Sequence, residues 1–381
     1  MMKILTKLKI VLIFLMALFT SNLEANPELS RQYDMACSAC HSQVPALNDM
    51  GLSFLRNGLR TSKYDTTALK SFLDSNSSKR FYPVGAMVGI SDNSKSDDFN
   101  RLVRLYLTGS VTDSLSVWAS SKEQFSSDKS DQELFEAGNS QFYFQYNIEE
   151  AKHVFRAGLL SPLTQLGNIK RSMGHSGLHG GEGHGLNYFS PLQHANVKKI
   201  KGAEYSYLFD NNVLLLFSYG EAVDNSHSYG RDSSHGHHGN TIEDDNNNAF
   251  LAGITYRTDS NYKIGLVYNN TEINEDTFYS LILPIEKEFT LFTWNTSLVY
   301  ANDSYEDYIG LENALTFPLR DMEHVKAIVN ADKDEFDNNN FGYSLGYTKI
   351  YKMFFFTAVA SYVDTDAYSS NKFMGSVQLI F

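Results

Sequence analysis

From about residue 81 to the C-terminus, hydrophobic and polar residues alternate along the chain. Val103, Leu105 and Leu107, for example, fall on one face of an extended segment, with polar or aromatic residues between them. Because the side chains of a strand alternate between two faces, this pattern predicts half-buried strands. It recurs about 16 times, each time over roughly the length that a tilted membrane strand needs. The predicted strands are 81–90, 101–108, 114–125, 139–149, 152–160, 201–209, 212–222, 248–258, 261–271, 276–284, 288–300, 305–317, 322–331, 340–350, 352–363 and 371–381.

The connections between these strands alternate between short and long. Short turns such as 111–114, 210–212, 257–261 and 348–352 alternate with polar loops at 91–99, 126–138, 161–200, 223–247 and 331–339. This asymmetry is typical of an all-β transmembrane antiparallel barrel, and an even number of strands leaves both chain ends in the periplasm. The final residue, Phe381, resembles the terminal signal of outer-membrane barrels. The alternative is a soluble β-sandwich, although sandwiches seldom form one unit of about 300 residues.

The first 25 residues have the pattern of a secretory signal. Lys3, Lys7 and Lys9 give a positive start, residues 10–19 are apolar, and residues 23–25 form a plausible cleavage site. A retained membrane helix is the alternative, but such a helix needs about 20 apolar residues. The pattern therefore predicts export and removal of residues 1–25.

Composition excludes several classes of protein. The chain has 381 residues, a net charge of −12 and 13% aromatic residues, and its mean hydropathy is −0.31. Because the mature chain has no second long apolar run, a bundle of membrane helices is excluded. An acidic chain with few basic clusters is also a poor nucleic-acid binder.

The chain has 2 cysteines, and both lie in the sequence Cys37-Ser38-Ala39-Cys40-His41. This spacing is that of a c-type haem site, in which the two thiols form thioether bonds to one haem and the histidine binds its iron. The sequence therefore predicts one covalent haem c, held by Cys37 and Cys40, with His41 as the proximal ligand. A zinc site would need two further ligands, and a redox dithiol has no need of the histidine.

The haem motif lies in a short segment, 26–80, between the export signal and the barrel, 81–381. A segment of this size is marginal as an independent domain. It contains a predicted helix running through Gln43–Arg56, with Leu47, Met50 and Phe54 on its apolar side. A barrel of about 16 strands encloses a lumen wide enough for such a segment, so we expect it to insert there. A short cytochrome hanging below the barrel is the alternative.

The stretch Cys37–Gly58 resembles the opening of the fused monohaem cytochrome–porins of the outer membrane. In that family the haem motif is followed by Pro-x-Leu and Gly-x-x-Phe, which here begin at Pro45 and Gly51. The best-known members are extracellular ferrous-iron oxidases. The resemblance implies thioether attachment at Cys37 and Cys40 and iron ligation by His41. It supports the fused class better than it supports iron as the electron donor.

Other side chains are candidates for contact with the haem. The candidate sixth iron ligands are Met35 and Met50, together with Met87 and His153 if these two point into the lumen. Ordinary apolar packing is the alternative role for the methionines. Arg104 and Arg156 are candidate partners for the haem propionates, and the alternative is that they line a wet channel.

Two glycine-rich tracts, 174–185 and 234–239, contain six of the 11 histidines. The predicted topology makes both tracts extracellular loops. Neutral imidazoles can bind transition metals there, with Glu182 or Asp244 as an oxygen ligand, whereas the alternative is a solvated loop without such a role. The candidate metal ligands are His175, His179, His184, His235, His237 and His238.

These features predict an outer-membrane electron-transfer protein of a Gram-negative bacterium. Single electrons would pass through one haem between an extracellular donor such as Fe(II) and a periplasmic cytochrome or other carrier. The corresponding enzymatic activity would be that of an Fe(II):cytochrome c oxidoreductase. The alternative is a diffusion or metal-uptake porin whose haem plugs, senses or gates the channel. The sequence contains no motif of hydrolysis or nucleotide chemistry.

Overall fold

A computed structural model of the chain describes most of the barrel and part of the N-terminal segment. The described residues are 29, 33, 35, 37–43, 46–61, 73, 83–93, 100–125, 140–166, 195, 197, 199–223, 247–273, 276–302, 307–320, 323–334, 339–351, 354–364 and 369–380. The predicted export signal and both histidine-rich tracts lie outside these residues.

The described residues 37–56 of the N-terminal segment form two short helices and a small hairpin. Helix α1 (Cys37–Cys40) is followed by strands β1 (His41–Gln43) and β2 (Ala46–Leu47), which pair with each other, and by helix α2 (Asp49–Arg56). The barrel strands are β3 (Val84–Asn93), β4 (Asn100–Ser110), β5 (Leu115–Phe125), β6 (Ser140–Ile148), β7 (His153–Leu160), β8 (Lys199–Leu208), β9 (Val213–Val223), β10 (Asn248–Arg257), β11 (Tyr262–Ile273), β12 (Asp276–Glu288), β13 (Thr293–Asn302), β14 (Asp307–Arg320), β15 (Glu323–Asp334), β16 (Asn339–Tyr351), β17 (Phe354–Asp364) and β18 (Ser369–Ile380). A 3-10 helix, Pro162–Gln165, follows β7.

The 16 strands form one closed antiparallel barrel, as the sequence predicts. Each strand pairs with its neighbours in chain order, and β18 closes the barrel on β3, from Met374 opposite Asn93 to Ile380 opposite Met87. The largest difference from the predicted strand bounds is in β13, which begins at Thr293 rather than at position 288. Strand β12 continues beyond Pro284, its predicted last residue, to Glu288. Proline lacks an N–H group, and the β11–β12 pairing is interrupted there, but it resumes between Ile285 and Ile264.

The two faces of the barrel wall differ in polarity. On β6, Phe142, Phe144 and Tyr146 point outward and are exposed, whereas Gln145 and Asn147 point inward and are buried. The same alternation gives the rest of the barrel an apolar outer surface and a largely polar interior. Such a surface suits hydrocarbon rather than water, so the fold is that of a transmembrane barrel. No described helix is both long and apolar enough to cross a membrane.

One end of the barrel, which we call the short-turn end, carries the tight connections. The turns 111–114, 209–212 and 258–261 lie at this end, together with the start of β3 and the end of β18. Asn212 and Asn261 adopt left-handed backbone conformations, with φ of 62° and 61°, which asparagine tolerates better than most residues. The opposite, long-loop end carries connections such as 126–139 and 224–247.

The connection between β7 and β8 turns into the barrel at both of its described ends. Leu163, Leu166 and Ala195 pack in a buried apolar cluster with inward-facing residues such as Leu251 and Val267. The carbonyl of Ala195 also accepts hydrogen bonds from barrel side chains on β11 and β12. The predicted loop 161–200 therefore does not lie wholly outside the barrel, because its apolar end residues are buried against the inner wall.

We expect the purified protein to show heat-modifiable migration on denaturing gels. A closed barrel retains its hydrogen-bonded ladder in detergent at low temperature, so unheated samples should migrate differently from boiled ones. Circular dichroism of the unheated sample should show mainly β structure. A predominantly helical spectrum would contradict this architecture.

Candidate functional site: a plug at the short-turn end

The segment that carries the haem motif is held together by Asn48. The Asn48 backbone N–H donates to the carbonyl of Cys40 at 2.9 Å, and its side-chain amide donates to the carbonyls of Ser38 and Ala39 at 3.2 and 3.0 Å. Its side-chain oxygen accepts from the backbone N–H of Gly51 at 2.8 Å and so caps α2. One side chain thus fixes α1 relative to α2.

Gly51 lets the two helices approach each other closely. A Cβ atom at this position would collide with the carbonyl oxygen of Cys40 and would lie 3.0 Å from Cδ2 of Leu47. Any larger residue would therefore push the haem motif away from α2. This contact gives a physical reason for the glycine of the Gly-x-x-Phe sequence.

The thiol of Cys40 is half-buried, and burial raises its pKa. His41 is also half-buried, and the side chain of Cys37 is not described. Within the described part of the chain, no three His, Cys, Asp or Glu side chains lie together as metal ligands would.

The apolar side of α2 packs in a cluster that reaches the barrel wall. Phe54, Leu55 and Leu59 are buried together, with Tyr33 and Trp118 of β5 packed against them. The rings of Tyr33 and Phe54 meet edge to face, with centroids 5.3 Å apart, and the Tyr33 hydroxyl donates to the carbonyl of Leu59 at 3.1 Å. The predicted helix Gln43–Arg56 is wrong in its first part, because Gln43 and Leu47 lie in the β1–β2 hairpin and the helix begins at Asp49. Leu47 and Phe54 pack in one apolar cluster as predicted, whereas Met50 is 43% exposed.

Arg56 anchors the C-terminal end of α2 inside the barrel. Its guanidinium donates to the Gln165 amide oxygen at 2.8 Å and the Ser206 hydroxyl at 2.9 Å. It also donates to the carbonyls of Ala151 and Lys152, at 2.8 and 3.1 Å, in a turn at the short-turn end. Burial lowers the pKa of Arg56 to about 10, so the side chain remains charged at neutral pH.

The contacts of Arg56 belong to a larger buried polar network. Gln165, in the 3-10 helix, donates to Glu204 at 2.8 Å, and Glu204 also pairs with Arg156, whose Nε lies 2.6 Å from a carboxylate oxygen. Gln145 donates from the wall to the carbonyls of Leu55 and Arg56 at 2.8 and 3.0 Å. The network joins α2, the β7–β8 connection and the barrel wall.

The N-terminal end of α2 is held on another part of the wall. Asp49 pairs with Arg257 and with Lys263, the latter at 2.8 Å. Arg60, beyond the C-terminal end, donates to the backbone carbonyl of Asp113. An acidic residue in the first turn of a helix and a basic one in the last also suit its dipole.

We call the described residues 37–43 and 46–60 the plug. Its helix α2 is about 12 Å long and is anchored at one end to β10 and β11 and at the other to β6, β8 and the turn before β7. Because strands β6–β11 are neighbours in the barrel, the plug lies inside the barrel along this part of the wall, at the short-turn end. The sequence prediction that this segment enters the barrel agrees with these contacts, in contrast to a cytochrome hanging below it.

The candidate sixth ligands lie in different environments. Met50 is 43% exposed, and Met35 is half-buried. Met87 is half-buried, and the alternation on β3 places it on the inner face, between buried Gly85 and Gly89. His153 was a candidate only if it pointed inward, and the structure shows that it points outward.

The outward direction of His153 follows from its neighbours on β7. Val154 and Arg156 are the buried, inward-facing residues, so His153 lies on the outer face. There its Nδ1 is 2.8 Å from the Tyr205 hydroxyl, and its ring packs against Tyr207. The barrel wall separates it from the plug, which excludes it as a ligand of a haem in the interior.

The two candidate partners for the haem propionates, Arg156 and Arg104, also lie in different environments. Arg156 is fully buried, pairs with Glu204 and lies over the ring of Tyr143, 4.9 Å from its centroid. These contacts make it part of the wall rather than a separate partner for a propionate. Arg104 also points inward, is half-buried and lies 3.5 Å from the Tyr106 hydroxyl. The six candidate metal-binding histidines of the two tracts lie outside the described residues.

The residues around the motif fit a c-type haem. Cys37 and Cys40 lie within one turn of helix, and His41 follows directly. The apolar cluster around Phe54 borders this segment through Leu47. The indole N–H of Trp118 is buried beside the cluster without a hydrogen-bond partner, so it is a donor that an acidic group of a bound cofactor would satisfy.

The anchoring residues Asp49, Arg56, Gln165 and Glu204 were not assigned a role from sequence. The helical pattern gave no signal for Arg56, because residues two positions apart, such as Phe54 and Arg56, do not share a helix face. The partners themselves lie about 100 or more positions away along the chain. No local pattern connects them.

No family model matches the sequence, and no curated protein matches it. Among solved structures, the chain is similar to an anion-selective porin from Comamonas acidovorans, with a TM-score of 0.53, 11% identity, and coverage of 78% of this chain and 98% of that chain. It is also similar to a loop L8 deletion mutant of OmpT, an outer membrane protein of Vibrio cholerae, with a TM-score of 0.52, 11% identity, and coverage of 78% and 98%. At such low identity the similarity shows the fold alone. The chain has the 16-strand barrel fold of outer-membrane porins.

Proposed function

We propose that this protein is an outer-membrane channel of the porin type, with its periplasmic mouth narrowed by the plug. The observation that carries this proposal is the anchoring of α2 at both ends, through Asp49 and Arg56, to the inner wall at this end of the barrel. The apolar outer surface contacts membrane lipid. The short-turn end faces the periplasm, which leaves both chain ends there.

Ion conductance in planar bilayers tests the channel proposal. We expect the full-length protein to form channels of low conductance in dilute salt. Raising the salt concentration from about 0.1 to 1 M shortens the Debye length from about 10 to 3 Å. This weakens the partly exposed pair of Asp49 with Arg257 more than its pair with Lys263, whose side chain is 12% exposed. The open fraction should therefore rise, beyond the increase in bulk conductivity.

The variant Asp49→Asn provides the matched control for this experiment. It removes the charge that salt would screen, so the plug should be less firmly held in dilute salt and the additional effect of salt should be smaller. Conductance that follows bulk conductivity in both proteins would show that the plug does not close the mouth. If neither the wild type nor the Asp49→Asn variant forms channels, the porin proposal is wrong.

We also propose that the plug carries one covalent haem c and passes single electrons. The observation that favours this second function is the haem motif itself, held by Asn48 against a helix inside the barrel. A bound haem supplies a one-electron couple. The protein's own residues provide the thiols of Cys37 and Cys40, the imidazole of His41 and the apolar surface of Phe54. The barrel keeps this charged group away from lipid.

In this second function, electrons pass between an extracellular donor, such as Fe(II), and a periplasmic cytochrome or other carrier. The corresponding activity is that of an Fe(II):cytochrome c oxidoreductase. We expect Fe(II) added to the purified, oxidised protein to produce the reduced haem spectrum. A haem that dithionite reduces but Fe(II) does not would exclude iron as the donor, while a porin function would remain.

We expect the six histidines of the two glycine-rich tracts to bind transition-metal ions without ligating the haem. Replacing His175, His179, His184, His235, His237 and His238 together by Ser should lower the affinity for Ni²⁺ or Zn²⁺ by about tenfold or more, because imidazole is the suitable ligand. Isothermal titration calorimetry measures this change, and the haem spectrum should not change. A strong shift of the Soret band would instead identify one of them as an axial ligand.

A further inference from the structure

A buried indole N–H lies where the plug meets the barrel wall. Trp118 of β5 packs against the apolar cluster of the plug. Its ring is held from two further sides, parallel to the ring of Tyr143 with centroids 6.4 Å apart, and edge to face with Tyr106 at 6.5 Å. Among the described residues, its Nε1 atom has no hydrogen-bond partner. A buried donor in a fixed position requires an acceptor.

Arg104 lies on the inner face of β4, beyond Tyr106 in the direction of the long-loop end. Its guanidinium is 3.5 Å from the hydroxyl of Tyr106, whose ring contacts Trp118. The residues directly opposite Tyr106 are Gly85 on β3 and Ser120 on β5. Because both are small, they leave space in the lumen beside the hydroxyl and the neighbouring guanidinium. We call Arg104, Tyr106 and Trp118 the donor row.

The charge of Arg104 is not neutralised within the described part of the chain. It has no carboxylate partner there, and its contact with Tyr106 is to a neutral hydroxyl. Other cationic side chains around the plug already bind carboxylates or backbone carbonyls, and these are Arg56, Arg60, Arg156, Arg257 and Lys263. A half-buried guanidinium is poorly screened by water, so it favours an anionic partner such as a carboxylate.

The proposed haem supplies carboxylates close to this row. The two propionates of a haem lie on the edge of the macrocycle opposite the vinyl groups that form the thioethers. With the vinyl edge fixed by Cys37 and Cys40, the propionates need donors outside α1. His41 pairs with Leu47 in the β1–β2 hairpin, and Leu47 packs in the same apolar cluster as Trp118. The donor row therefore borders the segment that carries the iron ligand.

We propose that the donor row binds the propionates of the covalent haem c. The Trp118 N–H and the Arg104 guanidinium are the donors, and Tyr106 positions Arg104. This inference rests on the proposed haem function, and it makes the barrel wall part of the haem site. Arg156 takes no part, because Glu204 already neutralises it. The positive charge of Arg104 favours the reduced iron over the more positive oxidised iron, so it raises the midpoint potential of the haem.

Redox titration and resonance Raman spectroscopy of the full-length holoprotein test the proposal. Arg104→Gln removes the charge and should lower the midpoint potential, whereas Arg104→Lys keeps the charge and should restore most of it. Trp118→Phe keeps an aromatic ring but lacks the N–H. We expect the propionate bending mode of the haem to shift in Arg104→Gln and in Trp118→Phe. The matched control is Arg320→Gln, which removes an arginine at the end of β14 and should change neither measurement.

Haem-linked peroxidase staining and heat-modifiable migration of each variant separate the possible failures. A wild type without stain would overturn the haem function and this inference with it. Stained variants that keep the potential and the propionate mode of the wild type would overturn the donor row alone, and Trp118→Phe decides if Arg104→Gln does not fold. If Arg104→Gln changes the anion selectivity of the channel but not the haem spectrum, Arg104 lines the solute path and the proposal is wrong. An equal fall in potential in Arg320→Gln would also overturn it.

Discussion

Replacing both cysteines, in the variant Cys37→Ala with Cys40→Ala, is expected to abolish covalently bound haem. Thioether bonds survive boiling in detergent, so the wild type should retain haem-linked peroxidase staining on a denaturing gel. The double variant has no thiol for attachment and should show no stain at the position of the protein. The expected effect is a complete loss rather than a graded one, because the chain has 2 cysteines and both are removed.

The variant His41→Ala provides a control for this experiment. It keeps both thiols and removes the imidazole, so the gel stain should persist while the absorption spectrum changes. Heat-modifiable migration of all variants shows whether the barrel has formed. Haem that stays attached to the double variant through boiling would contradict thioether attachment at these residues.

The barrel could be predicted because its signal is local and repeated. Along β6, Phe142, Phe144 and Tyr146 alternate with Tyr143, Gln145 and Asn147, and a similar alternation occurs on strands such as β17. Each strand is therefore specified by its own residues, independently of its partners. The predicted strand ended at Pro284, whereas β12 continues to Glu288, because a gap in one ladder can be tolerated while the strand continues.

The direction of an isolated side chain was harder to predict. His153 lies at the first position of β7, where the alternation is fixed only by the residues that follow. Val154 and Arg156 face inward, and a shift of one residue reverses the direction of every side chain on the strand. The predicted strand began at position 152, so its bounds did not decide between the inner and outer face.

The anchoring of the plug was beyond prediction because it depends on distant pairs. Asp49 meets Arg257, and Arg56 meets Gln165 and Ser206. Periodicity can predict an amphipathic helix and its apolar side, but it cannot predict which wall residues face that helix. The inward turn of the β7–β8 connection could not be predicted from the sequence for the same reason. Leu163 and Leu166 form a short apolar sequence whose burial depends on β10 and β11.

Arg56 is the residue whose replacement is expected to affect the plug most. Arg56→Ala removes the hydrogen bonds to Gln165, Ser206, Ala151 and Lys152. Hydrogen bonds to charged groups contribute about 1.5–3 kcal/mol each, and the net effects do not add fully. A loss of about 3 kcal/mol from docking of the plug would raise its undocked population by roughly 100-fold. Single-channel recordings in dilute salt should show this change as longer and more frequent open periods.

Two further variants and a second measurement separate loss of the anchor from other effects. Arg56→Lys keeps the charge but has too few donors for all four partners, so its open fraction should lie between those of the wild type and Arg56→Ala. Arg320→Ala removes an exposed arginine at the end of β14 and should leave the recordings unchanged. Limited proteolysis should cleave the segment before β3 faster in Arg56→Ala, while the barrel remains heat-modifiable. Unchanged conductance and unchanged cleavage in a folded Arg56→Ala variant would show that Arg56 does not hold the plug, because the remaining contacts of Asp49 and Gln145 would then be sufficient.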